Sequence, residues 1–87
     1  MTDPLTEQLR RRIADQDRAI LAAFNARLRL VSELRAHKDR TGVAFVDPGQ
    51  EERLLQALAG ENRGPLSNEG VRALFEEILA LTKRELP

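Results

Sequence analysis

Five charged residues in a fixed order along the chain are the strongest sign of a binding site: Arg10, Arg27, Lys38, Asp47 and Glu51. Residues 6–40 contain no Pro or Gly and are rich in good helix formers, which predicts one continuous helix. On such a helix Arg27 and Lys38 lie roughly 16 Å apart along the axis and about 20° apart around it, so both can reach one small anion. Arg10 lies about 25 Å further along the axis and points about 100° away. If all three cations bind one anion, two chains must build the site.

The predicted first helix also carries a heptad-like apolar stripe of the kind that two helices bury between them. Its members are Leu5, Leu9, Ile13, Ile20, Phe24, Leu28, Val31 and Leu34. A helix of about 35 residues is about 52 Å long, whereas a compact monomer of this size is roughly 31 Å across. The rest of the chain cannot cover the whole stripe, so we predict an intertwined homodimer with antiparallel long helices. That arrangement carries Arg10 of one chain toward Arg27 and Lys38 of the other.

Two shorter helices are predicted after a loop at residues 39–46, where Gly42 is expected to break the first helix. The second helix starts at Asp47-Pro48-Gly49-Gln50, with Asp47 as N-cap and Gln50 closing a capping box, and Gly60 is expected to end it. Ser67 is expected to cap the third helix, whose inner stripe is Val71, Leu74, Phe75, Ile78, Leu81 and Thr82. We therefore expect an all-α fold with one long and two short helices, forming an intertwined homodimer. The single domain spans residues 1–87, with residues 1–4 expected to be disordered.

Composition and charge exclude several classes of protein. The formal net charge is zero and Phe is the only aromatic residue type, which argues against a nucleic-acid partner. The chain has no Cys and one His, so neither a disulfide framework nor a metal site is expected. The first residues lack the features of a signal peptide, and no apolar run approaches membrane-spanning length. We expect a cytoplasmic protein without a membrane partner.

The ordered pattern resembles the all-helical chorismate mutase family over about residues 5–86. The resemblance is carried by Leu9-Arg10-x-x-Ile13-x-x-x-Asp17-x-x-Ile20-Leu21, then Arg27, Lys38 and Asp47-x-x-x-Glu51-x-x-Leu54-Leu55. It implies the [3,3] rearrangement of chorismate to prephenate, a step in the biosynthesis of Phe and Tyr. It also implies an intertwined dimer with two equivalent sites and no cofactor.

Transferred residue by residue, the resemblance implies that Arg10 of the partner chain and Arg27 clamp the two carboxylates of chorismate. The planar guanidinium suits that role because it pairs with a carboxylate through two parallel hydrogen bonds. Lys38 would donate to the enol ether oxygen. Asp47 and Glu51 would hold the ring hydroxyl.

The remaining site positions are substrate-binding candidates that differ from the family pattern. Thr82 stands where the family commonly has Ser, so a hydroxyl is retained. Gln50 stands where some members have Arg, and Leu86 where the family usually has Gln or Glu as a second donor to the ether oxygen. Glu85 faces nearly the same side as Thr82 and is the alternative donor. It would have to be protonated to donate.

Simpler interpretations remain open beside these roles. Arg27 and Lys38 can be solvated helix charges, Asp47 a helix cap, and Glu51 the partner of a Lys or Arg on a neighbouring helix. Arg35 is interpreted as a surface charge.

Two other functions of the protein also remain open. An isochorismate–pyruvate lyase of the same fold is disfavoured because Asp47 is present with Glu51, whereas a non-catalytic dimerisation or regulatory module is suggested by Leu86 and the short C-terminus.

Overall fold

The first helix, α1, spans Pro4–Thr41 and is longer at both ends than its sequence predicted. The computed structural model describes residues 3–42 and 48–87, with the backbone alone at Pro48. Asp3 caps α1: its Oδ1 accepts from the backbone N–H of Thr6 at 2.9 Å, and Pro4 takes the first helical position. Residues 3 and 4, expected to be disordered, are therefore the start of the helix. Gly42, with a φ of +73°, follows the last residue of α1 as predicted.

The apolar stripe of α1 is largely exposed in the single chain. No side chain of α1, all of which is described, is buried. Leu5, Ile13 and Ile20 are 60–66% exposed, and Phe24 and Leu28 are half-buried. Among the described residues, no helix combines the length and apolar character needed to cross a membrane.

The structure divides into two compact units, and α1 runs through both. The first unit ends at Glu33, and the second is Leu34–Pro87. The second unit holds the last two turns of α1 together with α2 (Pro48–Glu61) and α3 (Asn68–Glu85). These are the three helices of the described chain, so the predicted all-α class with one long and two shorter helices is confirmed.

The end of α2 differs from the sequence expectation. Gly60 was expected to end the helix, but α2 continues through it to Glu61. An interior Gly costs only about 1 kcal/mol relative to Ala, which neighbouring contacts can offset. Asn62, the first residue after α2, binds the connector: its Nδ2 donates to the carbonyl of Leu66 at 2.6 Å, and its Oδ1 accepts from the N–H of Gly64 at 3.1 Å. These two bonds fix the connector directly after the last residue of α2.

The core of the second unit lies between α2 and α3. Leu55 and Val71 are its buried apolar residues among those described, and Thr82 is the buried polar residue. Leu74 and Leu81 were expected on the inner stripe of α3, but they are 48% and 38% exposed. On a helix these two positions lie about 60–80° from Val71, at the edge of the stripe. The α2 helix covers the centre of the stripe and leaves this edge open.

Ser67 caps α3 as its sequence predicted. Its Oγ accepts from the backbone N–H of Gly70 at 3.0 Å, and its carbonyl accepts from the N–H of Val71 at 2.9 Å. The Ser67 backbone is extended, as an N-cap requires. One otherwise unpaired N–H of the first turn is thereby satisfied.

We expect Ser67→Ala to lower the free energy of unfolding by about 1 kcal/mol, because the cap oxygen is lost. Ser67→Gly, which keeps a favourable cap backbone, should cost only a few tenths of a kcal/mol. Urea unfolding followed by circular dichroism at one protein concentration measures both changes. Equal stability of wild type and the Ala variant would contradict a stabilising role for this cap.

Candidate active site

Two of the predicted site cations belong to the first unit. Arg10 lies on α1 and is exposed, whereas Arg27, seventeen residues later on the same helix, is half-buried. A long cationic side chain can bury its aliphatic stem while its charged group stays in water. Arg27 is therefore the less exposed of the two cations, and Arg10 stands on the open surface.

Lys38 belongs to the second unit, in the last turn of α1. Its side chain is half-buried, and its backbone carbonyl accepts a hydrogen bond from Oγ1 of Thr41 at 3.2 Å. A cation at this end of a helix is favoured by the helix dipole. Asp47, the predicted cap of α2 and ligand of the ring hydroxyl, lies outside the described residues, as do residues 43–46 of the predicted loop.

The first turn of α2 carries Gln50 and Glu51. Gln50 is exposed, and its Oε1 accepts from Nη2 of Arg53 at 3.0 Å. Glu51 is half-buried and forms an ion pair with Lys83 of α3, with Nζ 3.0 Å from Oε1 and 3.3 Å from Oε2. The alternative in which Glu51 contacts a cation on a neighbouring helix is therefore confirmed. The sequence did not mark Lys83 as that partner, because ion pairs across helices have no fixed spacing.

Thr82 is the most buried of the predicted site residues in the described chain, at 7% exposure. Its Oγ1 donates to the carbonyl of Ile78, one turn earlier in α3, at 2.6 Å. This is a common position for a helical Thr hydroxyl. Donation to a ligand would require the hydroxyl proton to rotate away from the Ile78 carbonyl.

The end of α3 is held by a residue that the sequence interpretation placed wrongly. Arg35, expected to be a surface charge, is half-buried, and its Nη1 donates to the backbone carbonyl of Leu86 at 2.8 Å. The N–H of Leu86 in turn donates to the carbonyl of Thr82 at 2.9 Å. Unpaired carbonyls at a helix end need donors, and Arg35 precedes Lys38 by one turn. No local pattern links Arg35 to a carbonyl 51 residues later, so the sequence could not indicate this bond. Glu85, the alternative donor, is exposed.

A cleft of about 310 Å³ lies along α2 and α3 within the second unit. Glu51, Leu55 and Lys83 contribute to its lining. A second ion pair joins the same helices, with Nη2 of Arg72 3.0 Å from Oε1 of Glu52. The hydrogen bond from Arg72 and its positive charge lower the pKa of the Glu52 carboxyl. Within residues 3–42 and 48–87, no group of three or more His, Asp or Glu side chains is placed to hold a metal ion.

Comparison with known proteins identifies relatives of this arrangement. The model of the family described as chorismate mutase type II matches residues 9–85. The Form I structure of chorismate mutase from Thermus thermophilus is similar, with 35% identity, a TM-score of 0.85, and coverage of 88% of this chain and 96% of that chain. The Form II structure from the same organism has 34% identity, a TM-score of 0.86, and coverage of 91% and 90%. A search of curated proteins finds no significant match.

The family match includes the segments that carry Arg10, Arg27, Lys38 and Glu51, and the structural likeness extends over nearly the whole length of both chains. The resemblance inferred from the residue pattern is thereby confirmed. This chain belongs to the chorismate mutase type II family.

Proposed function

We propose that this protein is a chorismate mutase that converts chorismate to prephenate in the biosynthesis of Phe and Tyr. The observation that carries the proposal is the family match over residues 9–85, together with two solved chorismate mutase structures at 34–35% identity. The sequence expectations of a cytoplasmic location and of catalysis without a cofactor remain predictions.

The reaction suits the residue types in this chain. A pericyclic rearrangement needs no nucleophile or general base, and the chain contains no Cys and a single His. A millionfold acceleration requires about 8 kcal/mol. Holding the flexible enolpyruvyl side chain over the ring can supply about 7 kcal/mol, and one preorganised donor at the ether oxygen can add about 3 kcal/mol. Binding and orientation by charged side chains are therefore sufficient.

We assign the carboxylates of chorismate to Arg27 and to Arg10 of the partner chain, and the ether oxygen to Lys38. The partial burial of Arg27 and Lys38 supports these roles, because a half-buried cation gains more from an anionic ligand than a solvated one does. The exposure of Arg10 is compatible with a role toward a second chain.

We assign the ring hydroxyl to Asp47 and Glu51, and a further carboxylate contact to Thr82. The half-buried Glu51 carboxylate at the start of α2 supports its part of this assignment. Gln50 and Leu86 are the remaining residues of the proposed substrate-binding site. Leu86 supplies no donor, so Lys38 is the sole proposed donor to the ether oxygen.

A homodimer is part of the proposal. Its support is the apolar stripe of α1, where Leu5, Ile13 and Ile20 stay exposed in the single chain. Large apolar side chains repeated along one helix face favour burial against another protein surface. A second copy of α1 offers a matching stripe, and it also brings a second Arg10.

The experiment that tests the function is incubation of the purified protein with chorismate, with product identified by chromatography. We expect loss of chorismate and formation of prephenate. Isochorismate is the matched substrate: its conversion to salicylate and pyruvate, without action on chorismate, would identify the lyase. Inactivity toward both substrates in a folded dimer would favour the non-catalytic module.

Arg10 is predicted to act in trans. Arg10→Ala and Arg27→Ala homodimers should each be nearly inactive, because every site lacks one cation. In a mixed dimer both lesions fall in the same site and the other site is intact. An equal mixture allowed to exchange subunits should therefore recover about one quarter of wild-type activity, since half of the dimers are mixed and each has one of two sites.

The control for this complementation is the mass of each variant. Light scattering should give twice the chain mass of 9.8 kDa for wild type and both variants. A folded wild-type monomer at micromolar concentration would contradict the shared site. Absence of recovery after verified subunit exchange would show that Arg10 does not complete the site of the other chain.

Lys38→Ala is predicted to lower kcat by at least about a hundredfold. Negative charge on the ether oxygen grows only as the bond breaks, so a donor there stabilises the transition state selectively. The matched variant is Leu86→Gln, which should leave kcat unchanged or raise it. The backbone bonds of Leu86 to Arg35 and Thr82 do not depend on its side chain. A folded, dimeric Lys38→Ala enzyme with wild-type kcat and only a raised KM would refute this role.

A further inference from the structure

In the contact between Glu51 and Lys83, one ammonium group lies close to both oxygens of the carboxylate. Nζ of Lys83 lies 3.0 Å from Oε1 and 3.3 Å from Oε2 of Glu51. The two side chains come from the start of α2 and the end of α3, within the second unit. The Glu51 side chain is 31% exposed and that of Lys83 is 52% exposed. The pair therefore joins the helices at one edge of the cleft and remains accessible to a ligand.

We propose that Lys83 is a positioning residue that orients the Glu51 carboxylate to accept the ring hydroxyl of the substrate. The inference rests on the proposed function, since that function assigns the hydroxyl to Glu51. A free Glu side chain samples several rotamers, and fixing it costs up to about 2 kcal/mol of conformational entropy. An ammonium group bound to both oxygens selects one carboxylate orientation before substrate arrives.

The geometry leaves Glu51 able to accept another hydrogen bond. An ionised carboxylate has about four lone-pair positions, and a single ammonium group occupies one on each oxygen at most. A substrate hydroxyl can therefore donate to Glu51 while Lys83 stays in place. Lys83 touches neither the reacting carbon atoms nor the ether oxygen in this assignment, so its effect passes through Glu51.

The ion pair between Arg72 and Glu52 provides a matched control. It joins the same two helices at the same distance, 3.0 Å, with side-chain exposures of 39% and 52%. Glu52 belongs to no proposed substrate contact. If Lys83 merely tied α2 to α3, loss of Arg72 would have the same consequence for catalysis. A positioning role predicts that only the loss of Lys83 affects substrate binding.

The test compares initial rates with chorismate for wild type, Lys83→Met, Lys83→Arg and Arg72→Met. We expect Lys83→Met to raise KM about five- to tenfold, part of the effect of losing a hydrogen bond to a charged group. Its kcat should stay within about twofold of wild type, because the hydroxyl is bound alike in ground and transition states. Lys83→Arg should recover most of the affinity, and Arg72→Met should keep the wild-type KM.

A double variant separates action through Glu51 from an independent contact. Glu51→Gln removes the charge that Lys83 binds, so adding Lys83→Met should raise KM no further. Additive increases in KM would overturn the inference. A Lys83→Met variant with the wild-type KM would also overturn it, if Glu51→Gln alone raises KM. A lower KM for Lys83→Met would also overturn it, by showing competition between Lys83 and the substrate hydroxyl.

The outcome for wild type distinguishes the inference from the proposed function. A wild-type protein that leaves chorismate unchanged refutes the function, and the inference falls with it. A wild-type protein that forms prephenate, with a Lys83→Met variant indistinguishable from it and from Arg72→Met, refutes the inference alone.

Discussion

The apolar face of α1 is the constraint on which the rest of the protein depends. A helix of 38 residues carries large aliphatic side chains along one side, and none of its side chains is buried within the chain. Burial of one such side chain is worth roughly 1.5–3 kcal/mol, so the exposed face is a large source of stability that the single chain leaves unused. The proposed homodimer follows from that free energy. Arg10 lies on the same helix, so the proposed dimer and the proposed role of Arg10 toward a second chain both depend on α1.

The second unit combines a small apolar core with polar contacts at its edges. Leu55 and Val71 pack between α2 and α3, while the pairs of Glu51 with Lys83 and of Glu52 with Arg72 lie along the same interface. Exposed ion pairs contribute little stability individually. What they hold is the orientation of each carboxylate of α2 against a cation of α3. For Glu51 that orientation bears directly on the proposed contact with substrate.

The proposed rearrangement depends on orientation of the substrate and on placement of charge, and it needs no nucleophile or base. Such a site is built from long cationic side chains, and these have the most rotamer freedom to lose. Two of the proposed site cations, Arg27 and Lys38, are half-buried, and so is Arg35, which is not a proposed substrate contact. Arg35 donates to the carbonyl of Leu86, which keeps the last turn of α3 wound beside Thr82. The proposed donor Lys38 is one turn further along the same helix as Arg35.

The sequence by itself determined what local physics controls. The lack of Pro and Gly in residues 6–40 predicted the long helix, Gly42 its end, and Ser67 the start of α3, because caps and breakers act within one turn. The ordered charges predicted the family, since their spacing is a property of the chain alone.

Only the tertiary structure decided which side chains from separate helices meet. In the folded chain α2 continues through Gly60, and Leu74 and Leu81 stay exposed. Glu51 pairs with Lys83, and Arg35 binds the Leu86 carbonyl. These outcomes depend on how helices approach across many residues of sequence, where the energy of each contact is small and no local pattern encodes it. The physical reason is the difference in range: capping and helix propensity act between neighbours along the chain, whereas packing and ion pairing act between neighbours in space.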